Sequence, residues 1–149
     1  MVRCLLDTHA LAWWLMDSPK LPTKVRRLLE DADNAVFVST VSAYEMSLKH
    51  HRGRWPDVGP LVGAFEEVVA GEGFLLLPLS ARHAIRAGAY GRDHRDPFDR
   101  MLAAQAVVEG LALVSMDEGL RGMGAEVVWG WGKAEGSRLH PTSGVVLCE

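Results

Sequence analysis

The first apolar run of the chain, residues 2–6, ends abruptly at a carboxylate, Asp7, and a helical pattern begins at Thr8. A short apolar run bounded in this way is typical of a buried strand followed by a helix. In open α/β sheets, ligand sites lie outside the carboxyl ends of the strands, so the pattern predicts that Asp7 stands at the rim of a site. The alternative is that Asp7 only caps the helix, because Asp is a preferred N-cap residue.

Short apolar runs and helical patterns alternate along the rest of the chain. Further strands are predicted at residues 35–38, 74–77, 111–115 and 126–129. Helices are predicted at residues 8–16, 23–31, 40–51, 61–70, 81–88, 97–109 and 118–121. Strands that alternate with helices form a parallel sheet with right-handed crossovers and helices on both faces. The sequence therefore predicts an α/β fold.

Length and composition indicate one globular domain followed by a tail. A chain of 149 residues is long enough to bury a sizeable single core. From Gly130 onward, glycine, serine and polar residues replace the apolar pattern. We therefore predict a domain at residues 1–129 and a tail outside the fold at residues 130–149.

Cysteine content and hydropathy favour a cytoplasmic protein. Cys4 and Cys148 are too few, in a chain of this length, to form a disulfide framework, which fits a reducing compartment. No apolar run approaches the roughly 18 to 20 residues that a membrane span needs. We expect no membrane association.

Two carboxylates interrupt apolar helical faces. Glu45 shares one face of the third predicted helix with Val41 and Leu48, and burying an unpaired carboxylate is costly. Asp99 lies on an otherwise apolar or small-residue face of the helix at residues 97–109. Its alternative explanation is a favourable charge in the first turn of a helix.

A fourth carboxylate, Asp117, follows the fourth strand as Asp7 follows the first. The alternative is again that it only caps a helix, here the short helix beginning at Glu118. Two acids at strand ends and two on inward helical faces can meet only if a cation offsets their repulsion. Clustered carboxylates without Cys or His at ligand spacing favour Mg²⁺ or Mn²⁺ over zinc. Such ions activate water and neutralise charge at a phosphate, so the indicated substrate is a phosphodiester or phosphate ester.

Charge and glycine pattern restrict the remaining ligands. A net charge of -3 is too small to attract a polyanion in bulk, so nucleic-acid contacts depend on local basic residues. The candidate residues for contacts with nucleic-acid phosphates are Lys49, Arg82, Arg86, Arg92, His94, Arg95 and Arg100. The glycines form no strand–glycine–helix phosphate cradle, so we expect no nucleotide cofactor.

Four segments of the chain match one known family, in that family's order. They are residues 5–11 with Trp14, residues 39–45 with Lys49, residues 94–105, and residues 113–117. The most specific piece is Asp96-Pro97-Phe98-Asp99-Arg100. Together these segments resemble the PIN-domain ribonucleases, and more closely the VapC-type toxins of toxin–antitoxin pairs.

The resemblance implies a three-layer α/β/α sandwich with a central parallel sheet and an acidic Mg²⁺ or Mn²⁺ site. By motif position, the family's acids fall on Asp7, Glu45, Asp99 and Asp117. Thr8 and Ser115 match the polar residues beside the first and last acids, as groups that hold ligands or water. Asp96 also matches the family, but we assign it to the N-cap of its helix.

The implied function is metal-dependent hydrolysis of RNA by the toxin of a toxin–antitoxin module, with a small antitoxin as partner and a homodimer as the expected assembly. Residues 132–149 have no counterpart in such toxins, and Tyr44 stands where Trp is common. One alternative is a metal-dependent phosphatase, but His9 occupies the position of its second Asp, and Glu45 and Asp99 would have no role. The other alternative is a non-catalytic module that binds RNA or a partner.

Overall fold

The computed structural model describes residues 1–92, 94 and 96–130, together with the backbone of residues 138–139 and 146–147. Its strands are β1 (Arg3–Leu6), β2 (Ala35–Ser39), β3 (Leu75–Leu77), β4 (Ala112–Val114), β5 (Val127–Val128), β6 (Arg138–Leu139) and β7 (Val146–Leu147). Its helices are α1 (Thr8–Leu15), α2 (Thr23–Glu30), α3 (Thr40–His51), α4 (Gly59–Gly63), α5 (Phe65–Gly71), α6 (Ala81–Ala89) and α7 (Pro97–Glu109), with 3₁₀ helices at Pro56–Val58 and Glu118–Met123. Among these described residues, no helix combines the length and apolar character that crossing a membrane requires.

Five parallel strands form the central sheet in the order β3-β2-β1-β4-β5. The first strand of the chain lies in the middle, where Leu5 pairs with Phe37 on one side and Leu113 on the other. Its apolar residues are fully buried, as expected for a parallel strand covered on both faces. The predicted parallel α/β sheet is confirmed.

Alternate side chains of β1 enter two separate hydrophobic clusters. Cys4 and Leu6 pack in the cluster that contains residues of α1 and α2. Leu5 packs in the other cluster, with Leu102 and Ala106 of α7. Since successive side chains of a strand point to opposite faces, helices cover both faces of the sheet, and the three-layer α/β/α arrangement is confirmed.

The helix predicted at residues 61–70 is instead two helices, α4 and α5. Ala64 separates them, with φ -137° and ψ 32° outside the helical region. Helix α4 both begins and ends on glycine, which disfavours helix continuation, and the apolar pattern of the segment runs across the break unchanged. The structure also adds a 3₁₀ turn at Pro56–Val58, within a segment that the sequence predicted as loop.

The predicted tail at residues 130–149 falls mostly on residues outside those described, namely 131–137, 140–145 and 148–149. Within it, β6 and β7 pair antiparallel in a sheet of their own. The boundary at residue 129 therefore stays a prediction.

Candidate functional site

The carboxyl ends of β1 and β4 lie side by side and bring two of the predicted acids to one edge of the sheet. Leu6 pairs with Val114, and the backbone N–H of Asp7 donates a 3.0 Å hydrogen bond to the carbonyl of Val114. Asp7 follows β1 directly, whereas Asp117 begins the 3₁₀ helix after β4. This is the edge at which parallel sheets place their ligand sites.

Asp7 is both a helix cap and a buried acid. Its Oδ1 accepts a 2.8 Å hydrogen bond from the backbone N–H of Ala10, so the N-cap interpretation is correct. Burial raises the pKa of Asp7 to about 7, while hydrogen bonds from Ala10 and Ser115 act in the opposite direction and the charges of Asp99 and Glu45 raise the pKa further. Capping therefore does not describe the whole role of this carboxyl group, which lies within electrostatic reach of two other acids.

Glu45 is buried in the middle of α3 with partners on both of its oxygens. Its Oε1 accepts a 2.5 Å hydrogen bond from the hydroxyl of Thr8, and the Ser42 hydroxyl lies 3.0 Å from the same Thr8 oxygen. Its Oε2 forms an ion pair with Lys49, one helical turn further along α3. Thr8, which the sequence matched to the polar residue beside Asp7, holds the carboxylate of Glu45.

Asp99 occupies the first turn of α7 and contacts a histidine from the preceding loop. The distance from His94 Nε2 to Asp99 Oδ2 is 3.1 Å. Burial raises the pKa of Asp99 to about 6, the His94 hydrogen bond lowers it, and the charges of Asp96 and Glu45 raise it further. A first-turn position accounts for a favourable helix-dipole contact, but not for the neighbouring acids that disfavour ionisation of this carboxyl group.

Asp117 is exposed and caps the 3₁₀ helix, because its Oδ1 accepts a 2.9 Å hydrogen bond from the backbone N–H of Gly119. The Ser115 hydroxyl, fully buried, accepts from the backbone N–H of Asp117 at 3.0 Å and also hydrogen-bonds Asp7. Ser115 therefore links the two acids at the strand ends.

Three side chains at this edge could share one metal ion. His94, Asp99 and Asp117 each offer one ligand atom, and these three atoms lie within 4.8 Å of one another. Ligand atoms on opposite sides of one Mg²⁺ lie about 4.2 Å apart, twice the bond length of about 2.1 Å. Small side-chain movements would therefore bring the three ligand atoms from within 4.8 Å of one another to the spacing that the ion requires. The chemistry of the carboxylate and imidazole donors and the raised pKa values of Asp7 and Asp99 both fit a divalent cation.

This group differs from the predicted set of four carboxylates. It contains Asp99 and Asp117 together with His94, which we had predicted as an RNA-binding residue rather than as a ligand. Asp7 and Glu45 are coupled to Asp99 through their charges and lie outside the three-residue group. Sequence spacing did not reveal His94, because it reaches Asp99 from a loop without periodicity.

Asp96 performs the role assigned to it. Its Oδ1 accepts hydrogen bonds from the backbone N–H groups of Phe98 at 2.9 Å and Asp99 at 3.4 Å, and Pro97 takes the first helical position. The cap fixes where α7 begins and therefore where Asp99 points.

Arg100, another predicted RNA-binding residue, directs its guanidinium into the protein's own backbone. Its nitrogens donate to five carbonyl oxygens at 2.6 to 3.4 Å, those of Ala87, Gly88, Tyr90, Gly91 and His94. A guanidinium has five N–H donors, so these contacts use all of them. Arg100 thus organises the chain between α6 and α7, including the backbone of His94.

The other predicted basic residues lie at several places. Arg82, Arg86 and Arg92 are exposed, and Arg86 packs over the Tyr90 ring with 5.8 Å from Cζ to the ring centroid. Lys49 pairs with Glu45, and Arg95 lies outside the described residues. An open cavity of about 460 Å³, lined by Arg92, His94, Pro97 and Arg100, adjoins the acids.

Known proteins resemble this chain in sequence and in fold. Over 122 residues, it is 26% identical to ribonuclease VapC22 of Mycobacterium tuberculosis, and the alignment covers 81% of this chain and 92% of that protein. A structure of VapBC2 from Rickettsia felis, bound to a DNA fragment from its promoter, superimposes with a TM-score of 0.56 at 13% identity, covering 87% of this chain and 99% of that one. A toxin–antitoxin complex from Klebsiella pneumoniae gives a TM-score of 0.56 at 19% identity, covering 86% and 98%. At these identities the structures establish a shared fold.

The family assignment comes from the match of the whole domain. The sequence model of the PIN domain matches residues 4–126, from the first strand to the residue before β5. That span contains all four acids, His94 and the complete set of helices and strands that position them. The chain belongs to the PIN domain family.

Proposed function

We propose that this protein is a metal-dependent endoribonuclease and the toxin of a toxin–antitoxin pair. The observation that carries the proposal is that one ligand atom each of His94, Asp99 and Asp117 lies within 4.8 Å of the other two, and that the charge of Asp99 also acts on the buried carboxyl group of Asp7. Asp7 and Asp99 have raised pKa values because they are buried and lie near other acids, and Asp117 lies beside Asp99. The sequence similarity to a protein named ribonuclease supports this assignment.

The side chains proposed to hold the ion are Asp7, Asp99 and Asp117, with His94 as a nitrogen donor and Glu45 next to them. A bound Mg²⁺ or Mn²⁺ supplies a water of lowered pKa and neutralises the charge of the phosphate under attack. In the metal-free protein, Asp7 retains a proton near neutral pH because of its raised pKa. Its carboxyl group releases that proton when the local negative charge is compensated.

Glu45 and Lys49 form the wall of the site facing the substrate. The Thr8 and Ser42 hydroxyls hold the Glu45 carboxylate in one orientation, and the Lys49 ammonium balances its charge. Because Lys49 is only partly buried, its ammonium can contact an RNA phosphate while remaining next to Glu45. Exposed Arg92, which lines the same cavity as His94, is the proposed contact to a further phosphate of the RNA.

The proposed partners are a second copy of this chain and a small antitoxin, in a cytoplasmic setting. The fold neighbours from Rickettsia felis and Klebsiella pneumoniae are toxin–antitoxin assemblies, and we extend that behaviour to this chain. Exposed apolar side chains on and after the edge strand β3, at Leu75, Leu76, Leu79 and Ile85, support burial against another protein.

The test is cleavage of a structured model RNA by the purified full chain in EDTA, Mg²⁺ and Mn²⁺. We expect cleavage only with an added ion, and its loss in Asp7→Asn. Glu67→Gln, which removes an exposed acid from the first turn of α5, is the matched control and should cleave as the wild type does. Cleavage that persists in EDTA, or equally in Asp7→Asn, would contradict the proposal and favour a contaminating nuclease or another site.

A further inference from the structure

We infer that the rings of His9, Trp13 and Trp55 form a stacking subsite that binds an unpaired nucleobase of the RNA beside the acidic centre. The inference rests on the proposed function, because it assigns the ligand class of that site. Unlike the acids, these rings have no direct role in the cleavage chemistry. Their contribution is to position a base next to the phosphate to be cut.

The His9 ring contacts both tryptophan rings. The His9 and Trp55 rings are stacked, with centroids 4.9 Å apart and an interplanar angle of 26°. His9 also meets Trp13 at 5.6 Å and 55°. Trp13 and Trp55 are half-buried and His9 is exposed, so π surface of the cluster remains accessible. Trp129, which meets Trp13 at 5.9 Å, is by contrast buried at 6% exposure and closes the cluster on the core side.

The cluster lies next to the acids. His9 stands two residues after Asp7 in the first turn of α1, and Thr8 between them holds Glu45. The charges of Glu45 and Lys49 act on the His9 ring, which places it at the wall of the site. A base bound on this surface therefore has its own phosphate within reach of the acidic edge.

Two cations lie near the rings. Lys20 Nζ lies 5.7 Å from the centroid of the Trp13 ring, and Lys20 is exposed. Lys49, paired with Glu45, is near enough for its charge to act on the His9 ring. Aromatic faces bordered by cations are how proteins hold single-stranded nucleic acid, with the bases stacked and the phosphates neutralised.

Trp55 is held in place before any ligand arrives. Its carbonyl lies 3.2 Å from His50 Nδ1, and the buried Val58 anchors the 3₁₀ turn that follows. The backbone at Gly59 passes so close to the His50 ring that a Cβ there would lie 2.8 Å from His50 Cε1. A loop fixed at several points presents its aromatic ring at low entropic cost, which suits recognition better than a mobile loop would.

The test measures RNA binding separately from cleavage. A fluorescently labelled single-stranded RNA is titrated with the full chain in EDTA, alongside the same strand carrying abasic riboses and the same strand in a duplex. Trp55→Leu removes the stacking ring, and Trp55→Phe keeps an aromatic face. Trp14→Leu is the matched control, because Trp14 is equally half-buried in the same region but packs against Phe74 instead of the cluster.

We expect Trp55→Leu to weaken binding of the single strand by about tenfold or more, from the usual effect of losing one stacked base. Trp55→Phe should recover most of the affinity and Trp14→Leu should match the wild type. Abasic RNA should bind wild type and Trp55→Leu equally weakly. Quenching of wild-type tryptophan fluorescence by the normal strand, but not by the abasic strand, keeps the test informative if Trp55→Leu fails to fold.

Equal affinities of folded Trp55→Leu and wild type, or equal quenching by normal and abasic strands, would overturn the stacking subsite and leave the rings as packing. A protein that binds as expected yet cleaves no RNA with Mn²⁺ would contradict the nuclease function but retain the subsite. The two failures are therefore distinguishable.

Discussion

The hydroxyl of Thr8 donates a 2.5 Å hydrogen bond to Oε1 of Glu45, a residue 37 positions away in the chain. This contact joins the first turn of α1 to the middle of α3, and the Ser42 hydroxyl supports it from α3. With Lys49 on the other oxygen, the buried Glu45 carboxylate has partners on both sides. Its orientation therefore depends on a threonine adjacent to the first acid.

Replacing Thr8 by Val should leave one Glu45 oxygen without its donor in a buried position. We expect a loss of about 1 to 3 kcal/mol in the free energy of unfolding, the usual cost of an unsatisfied buried acceptor. RNA cleavage should fall by about tenfold or more, as for other residues that orient ligands. Thr8→Ser, which keeps the hydroxyl, is the control and should retain most activity. Urea unfolding gives the fraction of each variant that is folded. Equal activity of Thr8→Val and Thr8→Ser, compared at equal concentrations of folded protein, would contradict the role of Thr8 in orienting Glu45.

Asp99→Asn separates a shared acidic site from simple helix capping. If the acids repel one another, neutralising Asp99 should raise the melting temperature of the protein in EDTA, because like charges near one site destabilise the folded state. Cleavage should collapse, and the stabilisation by added Mg²⁺ should shrink, since an ion that binds only the folded state stabilises it by mass action. If Asp99 is only a first-turn acid, Asp99→Asn should instead lower the free energy of unfolding by a few tenths to about 1 kcal/mol and leave RNA cleavage unchanged.

The measurement is paired thermal unfolding of wild type, Asp99→Asn and Glu67→Gln, each in EDTA and in Mg²⁺. Glu67 is also a first-turn acid, but on α5, so its variant reports the dipole effect alone. An Asp99→Asn protein that is less stable in EDTA and gains as much from Mg²⁺ as the wild type would remove Asp99 from the site.

The raised pKa of Asp7 makes the stability of the metal-free protein depend on pH. Its pKa rises from 3.8 to about 7 on burial, so between these values the folded state binds more protons than the unfolded chain. The stabilising contribution is complete below about pH 4 and is lost as the pH rises through about 7. The total loss is on the order of 4 kcal/mol, at about 1.4 kcal/mol per pKa unit over a shift from 3.8 to about 7.

Urea unfolding in EDTA across this pH range measures the effect. Asp7→Asn keeps an N-cap of similar quality but cannot ionise, so its profile should be flatter and its stability above neutral pH should exceed that of the wild type. Saturating Mn²⁺ should reduce the wild-type loss. Parallel profiles of the two proteins would show that Asp7 titrates normally.

His94 should influence which ion the site prefers. Carboxylate and water oxygens suit both ions, but Mn²⁺, as a transition ion, accepts an imidazole nitrogen more readily than Mg²⁺ does. We expect His94→Ala to lose about tenfold in Mn²⁺ affinity, measured by calorimetry, with a smaller loss for Mg²⁺. An unchanged ratio of the two affinities would place His94 outside the coordination of the ion.

Arg100→Lys tests whether the charge or the shape of this side chain matters. Lysine keeps the charge but has one nitrogen, so it cannot reach five carbonyl groups. We expect a loss of about 2 kcal/mol in the free energy of unfolding, because three part-buried carbonyl groups, those of Ala87, Tyr90 and His94, lose a donor. Arg82→Lys, on the exposed face of α6, should be neutral. A phosphate-binding role alone predicts the opposite, with unchanged stability and little change in RNA affinity.

Local sequence patterns were sufficient to predict the five strands of the central sheet, the α-helices other than α4 and α5, and the cap at Asp96. Ser39, Ser80 and Asp96 each accept a backbone N–H at the start of their helix, and Gly110 ends α7 with φ 67°. These features depend on residues within one turn of each other, so the sequence displays them directly. The break at Ala64 escaped prediction because the apolar spacing continues through it.

Contacts between distant segments were less predictable. The interruption of apolar faces identified Glu45 and Asp99, because burying a charge leaves a visible break in a pattern. The five carbonyls that bind Arg100 are backbone groups, which every residue possesses, so no residue type marks them. The stacking of His9 on Trp55 likewise depends on how a loop folds back over α1.

The order of strands in the sheet has a consequence for how the protein is synthesised. β1 lies at the centre of the sheet, and its neighbour β4 is synthesised more than a hundred residues after it. Pairing between segments so distant in the chain is slow. Until β4 has been synthesised, the nascent chain carries the apolar strand β1 without this neighbour. A translation product interrupted before β4 holds Asp7, Glu45 and Asp99 but lacks both Asp117 and the strand that aligns them. The acidic edge is therefore assembled only after β4 and Asp117 have been synthesised.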